Sequence, residues 1–151
     1  MADVITKIRT NYFRTTDPDK LRGLITSVRT DGEPVTLIEK AGEFMFYCPA
    51  DIRGTLTDRA KRHLEYDPDW ADDNPDEAWT MDAFLDELKN LVAPGDACII
   101  KSIGHEAMRS LFADAYIVTS QRVSYENFDT ILRQKARSML DDAGWETAFE
   151  G

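Results

Sequence analysis

Several things are scarce in this chain of 151 residues. It holds two cysteines and two histidines, and at this length one domain buries about two-thirds of its unfolded surface, so neither a disulfide nor a metal is needed to hold it. Cys48 and Cys98 each sit in an apolar run and read as small buried hydrophobes of a reducing compartment. No stretch approaches eighteen consecutive apolar residues, and Met1-Ala2-Asp3-Val4 offers neither a basic region nor an apolar run. The expectation is a soluble, cytoplasmic protein with no membrane partner. A Gly-x-x-x-x-Gly-Lys phosphate loop and a Gly-x-Ser-x-Gly elbow are also lacking, so no enzyme and no cofactor is expected.

The most telling absence is that of lysine and arginine between Glu65 and Glu87. Ten acids stand there: Glu65, Asp67, Asp69, Asp72, Asp73, Asp76, Glu77, Asp82, Asp86 and Glu87. Removing them from the 28 acids leaves 18, which the 18 basic residues balance, so the net charge of -10 belongs to this one segment. Over the whole chain the composition, 42% apolar and 30% charged, is that of an ordinary globular protein rather than a disordered one.

Periodicity predicts a strand over Val4 to Phe13, with Val4, Ile8 and Tyr12 on one face and Lys7, Arg9 and Asn11 largely on the other. Asp17 and Pro18 then open a helix with Leu21, Leu24, Ile25 and Val28 on its apolar face. A hairpin follows, Val35 to Glu39 and Glu43 to Cys48, joined by Lys40-Ala41-Gly42. Its second strand is apolar on both faces, Phe44, Phe46 and Cys48 pointing one way and Met45 and Tyr47 the other, so both faces require cover.

Residues 49 to 79 show little periodicity beyond a short helical turn near Asp58 to Leu64, and read as a long acidic connection inside a single domain. Thr80 caps the next helix, with Phe84, Leu85, Leu88, Leu91 and Val92 inward and Pro94-Gly95 as its stop. Two strands come next, Ala97 to Ile103 and about Phe112 to Thr119, and Ser124 is expected to open a last helix with Phe128, Ile131, Leu132, Ala136, Met139 and Leu140 on one face. The order β-α-β-β, acidic connection, α-β-β-α predicts an α+β fold: a mainly antiparallel sheet with helices packed on one face, nearest to the ferredoxin-like split β-α-β.

The stretches Asn11-Tyr12-Phe13-Arg14 before a capped helix, and Gly104-His105-Glu106 before a strand bearing Tyr116 and Val118, resemble small proteins encoded on bacterial mobile elements and phages. That family has no well-established chemistry. The resemblance implies a mobile-element setting and, from the habits of such accessory proteins, an inhibitor of a host defence system such as restriction or CRISPR, with no catalytic residue.

Candidate chemistries fare poorly one by one. His105-Glu106 begins a His-Glu-x-x-His zinc motif whose second histidine is replaced by Arg109, so His105 reads as a turn residue. Asp67, Asp69 and Asp73 match offsets 1, 3 and 7 of a calcium loop, but Asp72 occupies the position that needs glycine and Ala78 the one that needs glutamate. No metal is expected. Phe44 and Phe46 loosely evoke the stacking strand of an RNA-recognition domain, which makes an RNA-binding ferredoxin-like module the alternative reading; Glu43 interrupts that motif, and both phenylalanines read as core. Ten uncompensated acids also oppose phosphate contacts, so direct nucleic-acid binding is not expected.

Trp70 and Trp79, interleaved with the acids, and the prolines at 68 and 75 mark the acidic stretch as a shaped surface rather than a tether. The ten acids and the two tryptophans form the expected partner-binding set. The expected function is a non-enzymatic inhibitor presenting this face, as an acidic docking surface or a DNA mimic, to a host defence nuclease or other basic nucleic-acid-binding protein, with the tryptophans as apolar anchors. A solvated acidic loop on a small interaction domain is the plain alternative. Homodimerisation through an exposed sheet face or edge is a further expectation.

Overall fold

The computed structural model describes residues 4–106 and 110–145. The chain is α+β. Its main sheet has six strands, β1 (Val4–Thr10), β3 (Thr36–Lys40), β4 (Glu43–Cys48), β7 (Ala97–Glu106), β8 (Ser110–Thr119) and β9 (Val123–Asn127), in the order β3-β4-β1-β7-β8-β9. Every pairing in it is antiparallel. A small second sheet joins β2 (Arg29–Thr30), β5 (Ile52–Leu56) and β6 (Trp79–Thr80) in the order β2-β5-β6.

Two helices pack on one face of the main sheet. In α1 (Pro18–Ser27) the Asp17 carboxylate accepts from the Lys20 N–H at 3.1 Å, meeting one of the orphan donors of the first turn. In α5 (Met81–Lys89) the Thr80 hydroxyl accepts from Ala83 N–H at 3.1 Å in the same way. This helix stops at Lys89, so Leu91 and Val92 are buried beyond its end rather than on its face. The Leu91 carbonyl is taken instead by the Thr15 hydroxyl at 2.7 Å and the Thr16 N–H at 2.9 Å.

Alternation decides which strand residues meet these helices. Ile8, Phe44, Phe46, Cys48, Cys98, Ile100 and Val118 face Leu21, Leu24, Ile25, Phe84, Leu85 and Leu88 in one core. Phe46 sits at its centre, fully buried, edge-on to Phe13 at 6.4 Å and to Phe84 at 5.9 Å. The β3–β4 turn is a two-residue connection in which Ala41 and Gly42 both take positive φ, 54° and 79°, as the twist of a tight hairpin demands.

The Asn-Tyr-Phe-Arg stretch has a structural explanation. As β1 ends, the Asn11 amide donates to the Ala97 carbonyl at 2.9 Å and accepts from the Ile99 N–H at 2.7 Å, so its side chain continues the ladder with β7. On the other side Thr10 Oγ1 accepts from the Phe46 N–H at 3.0 Å, and Phe13, fully buried, pairs its backbone with Phe44. Arg14 meets Glu43 at 3.8 Å.

Four expectations need correction. Ser124 does not open the last helix: Val123–Asn127 is an edge strand, held by Tyr125, whose hydroxyl donates to Asp114 at 2.7 Å and whose ring lies 5.1 Å from that of Tyr116. Cross-strand pairing there outweighs the local cap signal, and α6 (Phe128–Leu140) starts after Asn127, which caps it. Gly104-His105-Glu106 is not a turn but the end of β7, because β1 pairs along it as far as Val4↔Glu106; Arg109 lies outside the described residues. Not all helices share one face, since Phe128 and Ile131 of α6 line a concavity with Ile103, Ala113 and Ala115 on the side away from α1 and α5, and no α6 residue is buried. Lastly, residues 49 to 79 are not a bare connection: they carry β5, the start of β6 and three short helices, α2 (Asp58–Leu64), α3 (Trp70–Asp73) and α4 (Pro75–Ala78).

Candidate functional site

The acidic stretch belongs to a small ordered lobe. Thr57 caps α2 by accepting from the Ala60 N–H at 3.0 Å, and its own N–H donates to the Ala78 carbonyl at 2.8 Å, which ties the start of the lobe to its end. Three alanines, Ala60, Ala71 and Ala78, form the lobe's interior, and Leu56, Leu64, Trp70 and Trp79 close over them. Alanine at each contact lets the three short helices approach closely, while the tryptophans supply the apolar area that such small residues lack.

Both tryptophans are half-buried, and their ring faces are occupied. Trp70 stacks on His63 with ring centres 4.3 Å apart and planes 8° from parallel, and the Arg59 guanidinium lies 5.9 Å from it. Arg29 lies over Trp79 at 4.2 Å. The rings fold the acidic stretch back onto the domain. Arg53 bridges the lobe to the rest of the domain, meeting Asp31 at 2.6 Å and Asp76 at 3.6 Å. The hydrogen bond to Asp31 holds its guanidinium above the ordinary arginine range.

The ten acids are distributed along this frame. Glu65, Asp67 and Asp69 lie between α2 and α3, Asp72 and Asp73 on α3, Asp76 and Glu77 on α4, and Asp82, Asp86 and Glu87 on α5. All are exposed except Glu87, which is half-buried and paired with Lys61 at 3.2 Å. Asp76 meets Arg53, and Glu77 meets Arg59 at 4.0 Å. The other seven make no ion pair among the described residues. Asp67 accepts from the Asp69 N–H at 3.1 Å, a local turn. Among the described residues no three His, Cys, Asp or Glu side chains are grouped to hold a metal ion.

Folding changes the charge density. Fully extended, residues 65 to 87 would run about 76 Å, but with most of them helical the contour shortens to about 49 Å, or about one acid per 5 Å. Duplex DNA carries one charge per about 1.7 Å of axis. The lobe is strongly acidic without matching a duplex along its contour.

The opposite face of the sheet holds a cluster that sequence reasoning passed over. Arg9 on β1 lies directly opposite Tyr47 on β4 and opposite Lys101 on β7, so the three share one row, with Lys7 two residues along β1. Alternation alone places Lys7 and Arg9 on one face of β1 and Tyr47 on the second face of β4. What the sequence does not contain is that β1 lies between β4 and β7. Phe44 and Phe46, the residues considered for base stacking, are on the helix side and buried. The two thiols are buried as well, and desolvation raises both Cys48 and Cys98 above the ordinary thiol range, so neither is a nucleophile.

In comparisons with protein families, with curated proteins and with solved structures, the chain matches none. Among the described residues no helix is long and apolar enough to cross a membrane.

Proposed function

We propose that this chain is a non-enzymatic interaction protein whose acidic lobe docks on a basic surface of a nucleic-acid-binding protein. The observation that carries the reading is the set of seven carboxylates that make no ion pair among the described residues, five on an ordered lobe and two on the adjoining α5, when 18 basic residues are present in the chain. Charges left unneutralised on a fixed frame produce a directional field that steers a basic partner and raises its association rate. Asp82 and Asp86, one helical turn apart on α5, repel by a few tenths of a kcal/mol, and a binding role accounts for that cost.

The density along the contour favours an acidic docking surface over close imitation of a duplex. The partner to try first is the one implied by the resemblance to mobile-element proteins, a host defence nuclease. The order β3-β4-β1-β7, with α1 and α5 as the two crossovers, supports a ferredoxin-like split β-α-β extended by β8 and β9.

The test compares the natural chain with a variant carrying Asp67→Asn, Asp69→Asn, Asp72→Asn and Asp73→Asn, each used to capture partners from host lysate at low and high salt. The expected result is a basic nucleic-acid-binding protein retained by the natural chain at low salt, released at high salt, and not retained by the variant. Equal capture by both would make the lobe a solubilising feature and end the proposal.

A further inference from the structure

We propose that the part of the outer sheet face that α6 leaves uncovered, across β4, β1 and β7, is a binding site for single-stranded nucleic acid. Lys7, Arg9 and Lys101 are exposed there, and none has an ion-pair or hydrogen-bond partner among the described residues. Arg9 and Lys101 are directly opposed across the β1–β7 ladder, an arrangement of like charges that weakens a sheet unless an anion is to lie between them. Tyr47, in the same row, is 41% exposed. Beside it Ile38, Met45, Tyr47 and Pro49 line, with Lys7 and Arg9, a concavity of about 380 Å³.

An occupant must therefore bring closely spaced negative charge together with flat, apolar groups. The Cα atoms that carry the cations are about 4.8 Å apart across the strands and about 6.6 Å apart along β1, and three positive side chains in one patch suit a chain of anions. An unpaired nucleic-acid strand meets both demands, with phosphates for the three cations and free base faces for Tyr47. A duplex does not, because its bases are stacked inside.

The net charge of -10 belongs to residues 65 to 87, and the lobe that carries most of those acids does not share this face, where Glu43 is already paired with Arg14. The lobe packs on the helix side, where Ile52, Arg53 and Met81 line a cleft with Ile8, Ile100 and Tyr116 of the inward face. Packed layers lie about 10 Å apart, more than the Debye length of about 8 Å at physiological ionic strength. In the Arg9–Lys101 row the acid present is Glu126, two strands beyond Lys101.

The experiment is a fluorescence-anisotropy titration of labelled ten-nucleotide pyrimidine RNA and DNA, with a duplex and inorganic phosphate as competitors. Saturable single-strand binding is expected, with a slope of log K against log salt of about -2 for three phosphate contacts. Tyr47→Ala should weaken it roughly 5- to 150-fold at unchanged slope. Arg9→Gln with Lys101→Gln should remove about 1.4 from the slope, and all three positions are exposed enough for the fold to survive, which thermal melting checks. The four-Asn lobe variant should bind the oligonucleotide as well as or better than the natural chain, so failure of lobe docking leaves this result standing. No saturation up to about 100 μM, equal competition by duplex or by phosphate alone, or binding unchanged in both sheet variants would overturn the proposal. So would a natural chain that sediments as a dimer through this face and ignores the oligonucleotide.

Discussion

Gly54 is the residue on which attachment of the acidic lobe depends. It lies in β5 with φ at 125°, and its Cα faces the backbone of β6 so closely that a Cβ would overlap the Thr80 carbonyl and stand 2.7 Å from the Met81 nitrogen. Gly54→Ala therefore carries two penalties. The backbone conformation disfavours any Cβ by about 1–3 kcal/mol, and the overlap with main-chain atoms, which cannot rotate away as a side chain would, adds about 1–3 kcal/mol. The sum, about 2–6 kcal/mol, is a large part of the 5–15 kcal/mol that holds a domain together. Relief requires β5 to part from β6, breaking the pairs Thr55↔Thr80 and Leu56↔Trp79 and disturbing the Thr80 cap of α5. Urea denaturation followed by circular dichroism and by the fluorescence of the three tryptophans would register the loss as a lower midpoint. A change below about 1 kcal/mol would refute the reasoning, because it would mean that the β5–β6 contact yields without consequence.

Other substitutions test the packing from different sides. Phe46→Ala should cost about 3–5 kcal/mol and Tyr47→Ala less than about 1 kcal/mol, measured by thermal melting; similar losses would contradict the assignment of faces on β4. Thr55 is buried and its hydroxyl has no hydrogen-bond partner among the described residues, so Thr55→Val should be neutral or stabilising by up to about 1 kcal/mol, and a loss would show that the hydroxyl is satisfied. Stability should also fall in alkali. The hydrogen bond to Asp114 raises the Tyr125 phenol, and burial raises Tyr116, Cys48 and Cys98. Groups raised on folding stabilise the native state below their ordinary values, 9.0 for the thiols and 10.0 for the phenols, and that contribution is lost as pH climbs past them. Melting temperature should hold from pH 7 to about 9 and drop beyond, less steeply in Tyr125→Phe.

Most of the elements were legible because their signals are local. Asp17-Pro18 and Thr80 begin helices where caps and apolar spacing say they should, and the hairpin about Ala41-Gly42 follows from turn chemistry. Phe44 and Phe46 were readable as core from the burial preference of aromatics on a half-buried strand, and both are buried. The readings that failed turn on partners distant in sequence: Ser124 carries a good cap signal, yet Tyr125 finds Asp114 and Tyr116 across a strand pair, and ladder formation takes the segment. His105 joins β7 because β1, about a hundred residues earlier, pairs with it.

By itself the sequence determined the α+β class, the starts of α1 and α5, the alternation of faces along the strands and the confinement of net charge to residues 65 to 87, because capping, periodicity and charge are properties of neighbouring residues. Tertiary structure decided that the acidic stretch is an ordered lobe on the helix side, since Gly54, Arg29 and the three alanines come together only on folding. It also decided that Tyr47, Arg9 and Lys101 form one row, because strand order, unlike strand periodicity, is set by which hydrophobic faces meet across the whole chain.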